Sequence, residues 1–133
     1  MITTVGDNLA RVFISQGAPE RARDLILEAL TISSAAGSKW AGLCVFDVTA
    51  GLGAVATDWT FAARMRGAAE ARVKDMKYKR DRPDEEFLAS WTARMREALG
   101  DAQYIAAFES GYALSHEQAV AEALAWLRKS PGA

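Results

Sequence analysis

Apolar side chains recur at three- and four-residue spacing almost from end to end of this chain, in short segments that mostly close on a glycine. That spacing puts one apolar stripe along each of a series of helices. No run alternates with period two, so strands are not expected. The three prolines and frequent alanines agree, since alanine loses no side-chain entropy in a helix and proline breaks one. The expected fold class is all-α, with about seven helices in antiparallel pairs.

Val5, Leu9, Val12 and Phe13 make the first stripe, over about Thr4 to Ser15, before Gly17. Pro19 suits the first position of a second helix reaching about Ala35, with Ala22, Leu25, Ile26, Ala29 and Leu30 inward. Gly37 ends it and Ser38 caps a third, from about Lys39 to Ala56, apolar on nearly every face and so expected between neighbours. Gly42, Gly51 and Gly53 each weaken that helix by roughly 1 kcal/mol, and close approach of another helix is the expected compensation. Asp58 caps a fourth helix, about Trp59 to Met76. A fifth, about Asp84 to Leu99, turns Phe87, Leu88, Trp91, Met95 and Leu99 to one side and stops at Gly100. Asp101 caps a short sixth that Gly111 is expected to stop near Ser110. Ser115-His116-Glu117-Gln118 has the form of a capping box and opens the last helix, to about Lys129.

The expected organisation is one domain over 1–133: two helix pairs in 1–76, a polar loop at 77–83, and a three-helix cap in 84–133. Gly17 to Ala22 lies over Thr57 to Ala62 at an offset of 40 residues, which brings Ala22 onto Ala62 and Ala29 onto Ala69. Helix pairs at that period resemble a short tetratricopeptide-like solenoid, and antiparallel pairs stacked in that way are the expectation. Sixteen Lys and Arg against seventeen Asp and Glu leave no basic field to draw in phosphate backbones, so direct nucleic-acid binding is not expected. The single Cys44 cannot form an internal disulfide, no leader-like start precedes Gly17, and no run of 18 apolar residues occurs. A cytoplasmic protein with no membrane contact is the expectation.

Ala62-Ala63-Arg64-Met65-Arg66-Gly67-Ala68-Ala69-Glu70-Ala71 resembles the segment that ends the helical-repeat region of many large bacterial signalling proteins. The terminal signature of that family is similar to Leu99-Gly100-Asp101, Phe108, Gly111, Leu114-Ser115, Glu117 to Val120 and Ala123 to Ala125 here. The family comprises LuxR-type and related ATPase-coupled transcriptional regulators and ATPases linked to adenylate cyclases. The resemblance implies a C-terminal sensor or scaffold region, whose ATP-hydrolysing, cyclase and DNA-binding parts lie elsewhere. Its expected partners are another protein or domains of a parent chain, with a homodimer or a small-molecule effector as further possibilities.

The chemistry-bearing residues are few. His116, the only histidine, has no Ser or Cys beside it in a recognisable motif and is expected as an exposed capping-turn residue. Cys44 sits among apolar neighbours, as a small buried hydrophobe would. No catalytic group, cofactor or metal ligand is expected. Asp47 falls inside the apolar third helix, where an unpaired carboxylate is costly. A structural ion pair with Arg64 or Arg66 is one reading, and a ligand contact in the repeat groove is the other. Trp40, Trp59, Tyr78, Lys79 and Arg80 are candidate surface contacts for a partner.

Overall fold

A computed structural model describes residue 17 and residues 19–36, 45–77 and 82–129. They form six α-helices and no strand: α1 (Pro19–Ala36), α2 (Val45–Val55), α3 (Trp59–Met76), α4 (Arg82–Leu99), α5 (Asp101–Tyr112) and α6 (His116–Leu127). The chain is all-α, as its spacing requires. The helix expected before Gly17 lies outside the described residues, as do Trp40, Gly42, Cys44, Tyr78, Lys79 and Arg80.

Helix α3 organises the rest. It packs against α2, α4, α5 and α6, and Ala62, Ala63, Met65 and Ala69 on it have no exposed surface. Small side chains on several faces let several helices come close, and the larger ones fill what remains. Phe46 and Leu52 of α2 and Ile26 and Leu30 of α1 are at most 1% exposed. Burying each such side chain contributes about 1.5–3 kcal/mol. The glycines of α2 have the expected compensation. A Cβ on Gly51 would lie 2.6 Å from the Phe87 ring of α4, and one on Gly53 would lie 3.3 Å from Ala62 of α3.

The turn into α3 is a Schellman-type closure. Thr57 N–H donates to the Ala54 carbonyl (3.0 Å) and Asp58 N–H to the Gly53 carbonyl (2.9 Å). Thr57 occupies the left-handed position (φ 60°) that usually falls to glycine. Asp58 then caps α3, its Oδ1 accepting from the Phe61 N–H at 3.3 Å. At the other end Lys77 ends the helix, also left-handed at φ 52°. The capping box of α6 forms in full: Ser115 Oγ accepts from Gln118 N–H (3.1 Å), and Gln118 Oε1 accepts from Ser115 N–H (3.0 Å).

Two boundaries differ from expectation. α4 begins at Arg82, with Pro83 in its first turn, where a missing N–H breaks no bond. α5 does not stop before Gly111 but runs through it to Tyr112. Gly111 is there for contact, as the next subsection shows.

The 40-residue register is visible in the helix starts, Pro19 for α1 and Trp59 for α3, each opening an 18-residue helix. The contact order departs from a one-dimensional stack, in which each unit touches only its neighbours. α6 returns to pack on α1 as well as on α3. Trp126 makes the join. Its ring stacks on Phe61 at 4.4 Å and 8°, the Arg23 guanidinium lies 4.8 Å from its centroid, and its Nε1–H donates to Asp58 Oδ2 at 2.8 Å. Arg23 Nη1 also donates to the Leu127 carbonyl (3.0 Å) and lies 3.4 Å from those of Trp126 and Lys129. A cation thus closes the C-terminal end of α6, where the helix dipole favours one.

Candidate functional site

The two flanks of α3 are built on opposite plans. Toward α5, backbone meets backbone. A Cβ on Gly67 would lie 2.8 Å from the Phe108 carbonyl carbon and 2.9 Å from the Tyr112 nitrogen. One on Gly111 would lie 2.6 Å from the Arg64 carbonyl carbon. Each helix places its glycine where the other's main chain passes, so no larger residue fits either position without parting them.

Toward α4 the spacing is set by long polar side chains. Arg66 leaves α3 beside Gly67; its Nε donates to Thr92 Oγ1 (3.2 Å) and its Nη1 to Glu70 Oε1 (2.9 Å). Its guanidinium carbon sits 5.8 Å from the Phe108 ring centroid. Arg96, near the end of α4, lies over Tyr104 at 4.8 Å, with Nη1 3.5 Å from Asp101 Oδ1. Lys74 lies over Tyr112 at 6.0 Å. Tyr104, Phe108 and Tyr112 follow one another along α5 at four-residue spacing, their centroids 5.9 and 6.3 Å apart. Three cations from α3 and α4 therefore cover three rings of one α5 face, an arrangement in which aromatic quadrupoles hold the cations in place.

Between these side chains lies an open groove of about 550 Å³, lined by Arg66 of α3 and by Glu85, Leu88, Ala89, Thr92, Ala93 and Arg96 of α4. The six α4 positions alternate in steps of three and one, so they are one face of the helix, about 16 Å long at 1.5 Å per residue. Leu88 is buried at the base, Ala89 and Ala93 leave the floor low, and Arg66 and Arg96 supply positive charge against the carboxylate of Glu85. Arg66 is held in the lining by its hydrogen bonds through Nε and Nη1. Such a site can hold and orient a ligand through shape, charge and hydrogen bonds.

The expected site residues fall in different places. Asp47 is 6% exposed near the start of α2, and it is engaged there. Arg64 and Arg66 find their carboxylates elsewhere: Arg64 pairs with Glu122 of α6 (2.7 Å) and donates to Ser110, and Arg66 pairs with Glu70 (2.9 Å). Trp59 is half-buried against the core, and Trp40, Tyr78, Lys79 and Arg80 lie outside the described residues. His116 is half-buried rather than exposed, its ring edge-on to Phe46 of α2 with centroids 6.1 Å apart. Arg66 was singled out from sequence for another partner; Arg96 and the alanine floor were missed. The spacing of Glu85, Ala89 and Ala93 along α4 was the available signal, small residues on a face opposite Phe87 and Met95.

Among the described residues no group of three or more His, Cys, Asp or Glu could hold a metal ion, and no helix is long and apolar enough to cross a membrane. Compared with protein-family models, curated proteins and solved structures, the chain matches none.

Proposed function

We propose that this protein is a helical interaction module of a bacterial regulatory system, and that the groove between α3 and α4 is the face it offers to a protein partner. The single observation behind this reading is the groove itself. A rigid helix face with a low apolar floor and a charged rim suits the insertion of a partner's helix or peptide. The equipment is for recognition: two guanidinium groups held in place by aromatic rings, a hydroxyl, and a floor of small side chains. The sequence resemblance to the C-terminal region of ATPase-coupled regulators supports a sensor or scaffold role; its segments fall mainly on α3, α5 and α6.

A photo-crosslinking amino acid placed at Ala93, with Glu28 on the exposed face of α1 as the control, tests this in cells of the native host. The expected result is a protein adduct of discrete mass from Ala93 and none from Glu28. Adducts from neither position, or the same adducts from both, contradict the reading.

A second reading, a small-molecule effector site, is favoured by one feature. The groove volume of about 550 Å³ falls within the usual range for small ligands. Metabolites that raise the melting temperature of the parent chain but not of Ala93→Glu support it, since a ligand that binds only the native state stabilises that state.

A further inference from the structure

We infer that the outward face of α5 is a homodimer contact, on which a second copy of this chain lays its own α5 in antiparallel sense. Tyr104, Ala107 and Gly111 on the inner side of this helix are buried against the fold. A surface helix normally turns polar and charged side chains the other way, and one that is apolar all round belongs between neighbours. The outward side of α5 holds Ala102, Ile105, Ala106, Glu109, Tyr112 and Ala113, all exposed, with Glu109 the one charge among them. Ile105 (45%) and Tyr112 (37%) are the large hydrophobic side chains left exposed among the described residues. Both stand on this one helix, two turns apart on the same face. None of the six lines the groove between α3 and α4, so the inference stands apart from the reading of that groove.

The face is self-complementary, as a two-fold contact requires. In such a contact one patch serves both partners, so a residue that meets a second is met by the same residue in return. With the helices antiparallel about a point midway between them, Ile105 of each copy packs on Tyr112 of the other. Ala102, Ala106 and Ala113 let the two helix axes come close. The charges match too. Among the described residues Glu109 has no cation beside it, and Lys74, in the last turn of α3, has the Tyr112 ring at 6.0 Å but no carboxylate. Glu109 follows Ile105 by one turn. When Ile105 of the second copy meets Tyr112, its Glu109 therefore comes within reach of Lys74, and the same pair forms again across the axis. A strongly acidic or basic partner finds no excess of opposite charge on this face, whereas a second copy finds its match. One twelve-residue helix is a small contact, so the dimer is expected to dissociate in the micromolar range.

Sedimentation velocity of the full chain, from micromolar to near-millimolar concentration, is the test. The expected result is a mass that rises from one chain to two. Ile105→Lys and, separately, Ala106→Glu are expected to stay single chains throughout. Both positions face solvent in the single chain, so both variants fold as the parent does, and either one alone decides the point. Glu109→Lys is expected to weaken association about tenfold, because it loses two pairs and sets like charges together. Adding Lys74→Glu to it recovers the dimer, which a contact made by apolar area alone would not do. A parent chain that stays single at every concentration overturns the inference. So does a dimer undiminished by Ile105→Lys or Ala106→Glu, or a loss in Glu109→Lys that Lys74→Glu leaves unrecovered.

Discussion

Toward α5, helix α3 presents Gly67 and is answered by Gly111; toward α4 it presents Arg66 and is answered by Thr92. The first seam closes until main chains touch. The second stays apart by the reach of a guanidinium and leaves a groove. Both flanks are built from the same ten-residue stretch, so local helix propensity does not separate them. What separates them is the size of the side chain at adjacent positions. A seam closed by shape tolerates no added volume, whereas one held by solvated polar groups can exchange partners. Close packing belongs to one side of α3, and the proposed binding face to the other.

The largest expected effect tests the closed side. Gly67→Ala gains about 1 kcal/mol of helix propensity but must part α3 from α5, and a net loss of about 2–3 kcal/mol in urea unfolding is expected. A variant as stable as the parent breaks the comparison. The contact of α3 with α6 is intermediate, because it joins ring stacking to one half-buried polar bond. Trp126→Phe keeps a ring against Phe61 but removes the donor to Asp58 and weakens the Arg23 contact, for an expected loss of about 1–2 kcal/mol. An unchanged unfolding midpoint would show that the latch is ornamental to the fold.

Thr57→Gly sharpens the picture from the opposite direction. The turn that delivers α3 holds a β-branched residue at φ 60°, and glycine there relieves strain, raising stability by about 1 kcal/mol. The smallest effect belongs to the open side. Arg96→Gln is expected to change stability by less than about 0.5 kcal/mol, since its ion pair with Asp101 is exposed and long. A larger loss would mean that the rim of the groove also holds the fold.

Much of the helix layout was legible because its signals are local. Asp58 at the start of α3, Ser115 with Gln118 at the start of α6, and the stripe from Phe87 to Leu99 along α4 each declare themselves within a few residues. Gly111 was misread for the same reason. Glycine both ends helices and lets them touch, and only the presence of Arg64 across the seam decides which. Asp58 carries a second role, accepting from Trp126 at 68 residues' separation, that no local pattern contains. The groove was the least legible part. Arg66 drew notice only as a partner for Asp47 and Arg96 drew none, because their places over Phe108 and Tyr104 follow from packing. Asp47 illustrates the converse: its burial followed from the apolar run around it, whereas the carboxylates that meet Arg64 and Arg66, Glu122 and Glu70, include one from a helix far along the chain.

The most direct test of a sealed flank and an open one is paired urea unfolding of Gly111→Ala and Ala93→Leu. Both substitutions enlarge a small helical residue, one in the α3–α5 seam and one on the groove floor. The account predicts that Gly111→Ala loses about 2 kcal/mol or more while Ala93→Leu stays within about 0.5 kcal/mol of the parent. Equal losses, or a loss confined to Ala93→Leu, would contradict it.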